Sequence, residues 1–265
     1  MRKKGMINKT FSFILMLITV LVSTGSQANT LKLVGNKVVT YIDEHELPAR
    51  QMDLVSAALA SRQVNITATT QAWSGSGLRS GKFSGYIDHY SLNNEGDRYI
   101  YSKPYMQMNL HLVSRSRKAE SITRLEQLYR ERVGIENRFA NTDQLRGERE
   151  VRWARSPTFF DNLKQLAERR VDYLLVDKAI AKEANLLLVN AGLKPLYMSK
   201  AALIKVDISL AMNREYPDAQ AVIKDFESGI DSLQKSGRYS ELLKLDLNRE
   251  SLLDVEVYSD MVRKW

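Results

Sequence analysis

The sequence predicts an α/β fold in two lobes joined by crossover strands. Three observations carry this reading. Strand-like apolar runs alternate with segments of helical periodicity along most of the chain. Residues 171–176 are apolar on both faces apart from Asp172 and Tyr173 at the start, as a parallel strand covered on both sides must be. Finally, Tyr101-Ser102-Lys103-Pro104-Tyr105 places a proline between aromatic residues and leads into an alternating run at 106–113. Pro104 locks φ and donates no hydrogen bond, so it fixes a corner. Met106, Met108, Leu110 and Leu112 then share one face of a strand. A rigid corner feeding a clean strand is what a crossover between two lobes needs.

Length and composition bound the reading. With 265 residues, the chain can build one large or two modest domains with real cores. The absence of cysteine excludes a disulfide framework and a thiolate metal site. His45, His89 and His111 lie far apart, which argues against a His-rich metal site, and no cofactor is called for. The first 28 residues carry Arg2, Lys3, Lys4 and Lys9, then an apolar core at 11–22, then Ser26-Gln27-Ala28. That order is expected to be a secretory signal peptide cleaved before Asn29. Its apolar core is too short for a comfortable membrane span. The formal charge of +8 includes the four basic residues of this segment, leaving +4 for the rest. That excess is mild. Clusters such as Arg115-Ser116-Arg117-Lys118 read as solvated surface, and a nucleic-acid partner is not expected.

Element by element, residues 31–34 read as a strand, with a turn at Gly35-Asn36 and a further apolar pair, Val38-Val39. Asp43-Glu44-His45-Glu46 groups metal-ligating types, but neighbouring loop residues rarely converge on one ion. Met52, Val55 and Leu59 predict a helix over 51–61, and 64–69 is a short β-branched strand. Trp73 follows in a polar, Gly-rich stretch read as a loop, where its indole either stacks on a ligand or caps the core. A strand over 83–87 delivers a loop at 88–94. Ligands of open α/β sheets bind at such carboxyl ends, which makes Asp88, Tyr90 and Ser91 polar site candidates.

Beyond the crossover, a helix is expected over 122–130, a strand over 132–135 and a short strand over 150–153. Ser156 caps the next helix with Pro157 just inside, and Phe159, Phe160, Leu163 and Leu166 point inward. Asp177 ends the 171–176 strand and can cap a helix over 179–187. A strand over 203–212 is followed by a helix from Ala219 to Leu233, which Gly237 stops.

The pentapeptide at 101–105 resembles the Phe-Ser-x-Pro-Tyr signature of the periplasmic solute-binding proteins of ABC-type uptake systems, family 3, the branch that includes polar amino-acid binders. Arg132-Val133-Gly134-Ile135 is similar to the strand that opens that family's second lobe. The stretch from Arg169 to Asp177 resembles its Gly-x-Val-Asp-Ala segment and the strand ending in Asp, and Ser236-Gly237-Arg238-Tyr239 its closing helix-Gly-helix. The resemblance covers most of the chain after residue 28. It implies a two-lobed periplasmic-binding-protein-like fold of type II, with residues 29–109 and 207–265 in lobe one and 110–206 inserted as lobe two. It also implies a non-enzymatic, monomeric periplasmic protein. Such a protein captures a small polar, amino-acid-like solute for an inner-membrane ABC permease. A sensor feeding a receptor and a dehydratase-like enzyme are the alternatives on the same fold.

Site residues follow from the resemblance one at a time. Asp177 matches the Asp that takes a ligand ammonium group. The Arg that clamps a ligand carboxylate normally stands seven residues before the signature Ser. Here Glu95 stands at that spacing, and Arg98, four residues before Ser102, is the candidate. Where relatives carry Gly-Thr after the lobe-two strand, this chain has Glu136-Asn137-Arg138, so Asn137 or Arg138 is expected to replace the backbone anion cradle. Tyr105 of the signature and Trp73 complete the expected ligand-binding set, with no catalytic or metal-ligating residue.

Overall fold

The computed structural model describes residues 30–36, 49–69, 71–92, 96–140, 142–243 and 263–265. The expected signal peptide, the Asp43–Glu46 cluster, Val38-Val39 and Glu95 lie outside the described residues, as does the side chain of Trp73. The first lobe begins with β1 (Leu31–Asn36), α1 (Ala49–Ala58), β2 (Val64–Thr69), α2 (Gln71–Arg79), β3 (Gly85–Tyr90) and β4 (Tyr99–Tyr101). After β5 (Met106–Ser114), the second lobe contains β6 (Arg132–Glu136), α3 (Asn137–Ala140), α4 (Asp143–Gly147), β7 (Arg152–Ser156), α5 (Phe159–Ala167), β8 (Tyr173–Asp177), α6 (Lys178–Asn190) and β9 (Tyr197–Met198). The chain returns through β10 (Ile204–Asn213) to α7 (Ala219–Lys235) and α8 (Arg238–Leu242) on the first lobe. Among the described residues, no helix is long and apolar enough to cross a membrane.

One curled sheet carries both lobes, in the order β2-β1-β3-β10-β5-β8-β6-β7. β1 runs parallel to β2 and β3, and β6 runs parallel to β7 and β8. β5 and β10 are antiparallel and form the two crossovers. β5 pairs with β10 from Met106 to Leu110 and with β8 from Leu110 to Val113. The sheet therefore passes from one lobe to the other at Leu110, which is in register with both Ile204 and Asp177.

The expected corner precedes this point. β4 and β5 lie along the same edge of β10, with Tyr101 opposite Ala211 and Met106 opposite Ile208. Lys103 and Pro104 bulge outward between them and are exposed. The buried Ser102 closes the gap: its Oγ accepts from the Leu210 N–H at 3.0 Å and donates to the Lys103 carbonyl at 2.7 Å. Its hydroxyl keeps the Leu210 N–H paired next to a proline corner, as a buried backbone donor requires.

Period-two alternation along β5 divides its side chains between two cores. Leu110 and Leu112 join a cluster that runs under both lobes, from Leu33 and Phe226 to Ile135 and Phe139. Val113 joins a second cluster with Phe159, Leu174 and Leu188 on the other face of lobe two. Helix α7 buries Val222, Ile223, Phe226 and Ile230 at helical spacing. It approaches α1 so closely that a Cβ on Gly229 would lie 1.9 Å from the Ala58 carbonyl oxygen.

Several local expectations change. β1 continues through Gly35-Asn36 rather than turning there, because the bare Gly35 leaves room for Ile87, which a Cβ would meet at 2.9 Å. Trp73 stands in α2 rather than on a loop; Gly77 within that helix is packed directly against Phe83. Asp88 and Tyr90 lie inside β3, which runs three residues further than expected. The 122–130 helix is absent: Ile122 is extended after a 3-10 turn at Arg117–Ser121, and the segment itself holds one further 3-10 turn, Leu125–Leu128. Gln127 Oε1 takes the N–H groups of Thr123 and Arg124 at 2.8 and 3.2 Å, a local competitor to helical pairing. α5 is capped by Thr158, whose Oγ1 accepts from the Asp161 N–H at 3.1 Å, and not by Ser156.

Candidate functional site

Three strand ends converge where the sheet changes lobe. β3 ends at Tyr90 opposite Ile208, which also faces Met106 of β5. β6 ends at Glu136 and passes directly into α3, and β8 ends at Asp177 opposite Leu110. Parallel strands deliver their carboxyl ends to one edge, so polar side chains there are held rigidly facing the junction.

The polar cluster at this junction links the lobes. From lobe one, Tyr90 Oη donates toward Asp88 Oδ2 at 3.4 Å, and both residues are buried. From lobe two, Arg138 Nε and Nη2 donate to Glu136 Oε2 and Oε1 at 3.2 and 3.1 Å. Arg138 also reaches β5, with Nη1 4.0 Å from Met108 Sδ, and lies 4.3 Å from the centroid of the Phe139 ring. Phe139 in turn meets the Tyr90 ring at 5.5 Å. The Arg138 charge and the Tyr90 phenol influence one another across the lobes.

Electrostatics follow from this packing. Burial pushes the Tyr90 phenol up, and the adjacent Asp88 carboxylate adds to the shift. Burial works against the Arg138 charge, but Glu136 and Tyr90 outweigh it and the guanidinium is held firmly protonated. The junction thus contains a closed pair, Glu136–Arg138, whose cation also touches lobe one.

Asp177 stands at the same junction, and its carboxylate is engaged by the backbone. Oδ1 caps α6 by accepting from the Ala179 N–H at 2.8 Å, and Oδ2 accepts from the Asn109 N–H of β5 at 3.1 Å. Asn137 opens α3 beside Arg138.

The remaining expected residues lie elsewhere. Ser91 is exposed; its Oγ accepts from the Asp207 N–H at 3.0 Å and so ties the end of β3 to the return crossover. Tyr105 is buried beneath lobe one, where its Oη donates to the Ile87 carbonyl at 2.6 Å and accepts from Gln51 at 2.8 Å. Burial raises its pKa well above that of a free phenol. Arg98 does not join the cluster. It precedes β4, beyond the pairing of Tyr99 with Asn213, whereas Tyr90 faces Ile208. Five residues of strand, about 17 Å, separate the two levels. Glu136, Met108 and Phe139 were not anticipated. Glu136 was findable by the rule that found Asp88, because it also ends an apolar strand.

No family model and no curated protein sequence matches the chain. Solved structures do. A mutant of ArgBP from T. maritima has a TM-score of 0.61 at 18% identity, covering 80% of this chain and 93% of its own. The chain has the type II periplasmic-binding-protein fold. An amino acid ABC transporter substrate-binding protein, AbpA from Streptococcus pneumoniae bound to L-arginine, matches at TM-score 0.61 and 12% identity, over 88% of this chain and 96% of its own. A histidine kinase sensor domain with similarity to periplasmic binding proteins matches at 0.62 and 16%, over 81% and 94%. In this fold β5 and β10 are the two strands that cross between the lobes.

Proposed function

We propose that this protein captures a small polar, amino-acid-like solute between its lobes, in the periplasm, and delivers it to an inner-membrane ABC permease. The observation that carries the reading is the placement of Asp88, Tyr90, Glu136, Arg138 and Asp177 along the stretch of β5 from Met106 to Leu110, where the sheet changes lobe. A solute touching both lobes stabilises the closed arrangement, and closure is then a population shift toward the state with more contacts. The amino-acid-binding ABC protein among the structural neighbours supports this class of ligand. Arg138 is paired with Glu136 and Tyr90 with Asp88, so an entering solute competes for these partners. Trp73, Asn137 and Asp177 are its further contacts in this proposal.

The sensor domain among the neighbours favours a second reading, in which the same closure is read by a receptor. Native mass spectrometry of protein taken from the periplasm tests the shared part. A co-purifying amino acid or amine is expected, on a chain beginning near Asn29. Calorimetry with that solute is expected to lose about 1.5–3 kcal/mol in Asp177→Asn, the scale of a hydrogen bond to a charged group. Protein that carries no solute, and gives no heat with any amino acid or amine, would refute solute capture. Co-purification with a permease, or instead with a receptor, decides between delivery and sensing.

A further inference from the structure

A cavity of about 630 Å³ opens at the pole of lobe two, away from the cleft. It lies at the amino ends of β6 and β8, below the carboxyl end of α5. Four basic side chains line it, Arg115, Lys118, Arg132 and Arg169, against two acidic ones, Glu131 and Asp172. Both acids are taken. Arg132 binds Asp172 through Nε and Nη2 at 3.0 and 2.8 Å, and Lys118 binds Glu131 at 3.1 Å. Neither Arg115 nor Arg169 is ion-paired to an acidic side chain of the lining.

These two arginines are held in place by separate devices. Arg169 has φ +59° at the end of α5. Its N–H bonds to the Leu166 carbonyl, and the Arg170 N–H bonds back to the Gln165 carbonyl at 2.8 Å. That is the reverse turn that closes helices, with an arginine in the left-handed position that glycine usually occupies. Non-glycine residues retained in that conformation cluster at binding sites. Arg115 follows β5, donates to the Ala167 carbonyl and to the main-chain oxygen of Trp265, and has its guanidinium 5.1 Å from the centroid of the indole ring. Arg169 makes no ion pair with a described residue. Arg115 and Arg169 line the same cavity, and burial together with the Arg169 charge lowers the Arg115 pKa.

We infer that this cavity is a second binding site, specific for an oxyanion, a phosphate or carboxylate group, which bridges Arg115 and Arg169. An anion between them meets both charges and uses guanidinium donors suited to paired oxygens. Leu166 and Val171 wall the cavity, and its volume falls in the range of small-molecule sites, so there is room for an organic body attached to the anion. The inference does not depend on what the cleft binds.

The test titrates the full-length protein with inorganic phosphate and with citrate, at low and high salt. Tryptophan fluorescence is the readout, since Trp265 stacks on Arg115. Saturable, salt-sensitive binding at concentrations up to about 10 mM is expected. Arg169→Gly removes the charge and supplies the residue the backbone prefers, so it keeps the fold. It is expected to weaken binding at least about tenfold, as loss of a charge-assisted contact does. Binding of phosphatidylglycerol vesicles that depends on Arg169 assigns the oxyanion to a lipid headgroup, and binding of the free anions alone assigns it to a soluble ligand. The absence of saturable binding to every probe, or equal affinity in Arg169→Gly, overturns the inference.

Discussion

Replacing Arg138 with Met should destabilise the protein by about 3–5 kcal/mol, the cost of breaking a buried ion pair from one side. The magnitude rests on burial. The Glu136 side chain is 6% exposed and that of Arg138 10%, so solvent can take over neither charge. Met keeps most of the apolar stem that lies over Phe139, and the main loss is therefore electrostatic. Two hydrogen bonds to a carboxylate disappear, and the carboxylate is left buried. The double variant Glu136→Gln/Arg138→Met removes both charges and should recover most of the loss, giving a coupling energy of at least about 2 kcal/mol. Urea unfolding of the wild type, both single variants and the double variant measures this cycle. A single variant costing less than about 1 kcal/mol, or a double variant no more stable than the single, would refute the buried-pair reasoning.

Other consequences of the packing are equally open to measurement. Ser102→Ala strands the buried Leu210 N–H at the corner and should cost about 1–3 kcal/mol in chemical denaturation; an unchanged midpoint would show that the corner holds itself. Gly229→Ala should lower the melting temperature even though alanine favours helix by about 1 kcal/mol, because the added methyl collides with the Ala58 carbonyl. A rise in melting temperature would mean that α1 and α7 are not packed this closely. Asp172 is held below the usual carboxylate range chiefly by its hydrogen bonds from Arg132. Its contribution is thus present above that range and lost as pH falls through the lowered value. Asp172→Asn should flatten the acid limb of the stability profile by less than about 1 kcal/mol, because the pair is largely exposed.

The sequence by itself determined the alternation of strands and helices, the corner at Pro104, the buried strand ending in Asp177 and the stop at Gly237. Each of these is local: a locked φ, a period of two, an unbroken apolar run or a glycine in the left-handed region settles it within a few residues. It also placed Asp88, Tyr90 and Arg138 near the ends of their strands, where the structure brings them together. Tertiary structure decided what the pattern could not. Whether Gly77 breaks a helix depends on Phe83 packed beside it. Whether 122–130 coils into a helix depends on where Gln127 sends its side chain. Arg98 and Tyr90 are eight residues apart in the chain, yet they stand at different levels of the sheet because β3 and β4 both pair with β10 at different registers. The partner of Arg138 is likewise a tertiary fact. Glu136 is two residues away in sequence, but the pair is closed and buried only because the end of β6 is folded against Tyr90 and Met108 of the opposite strands.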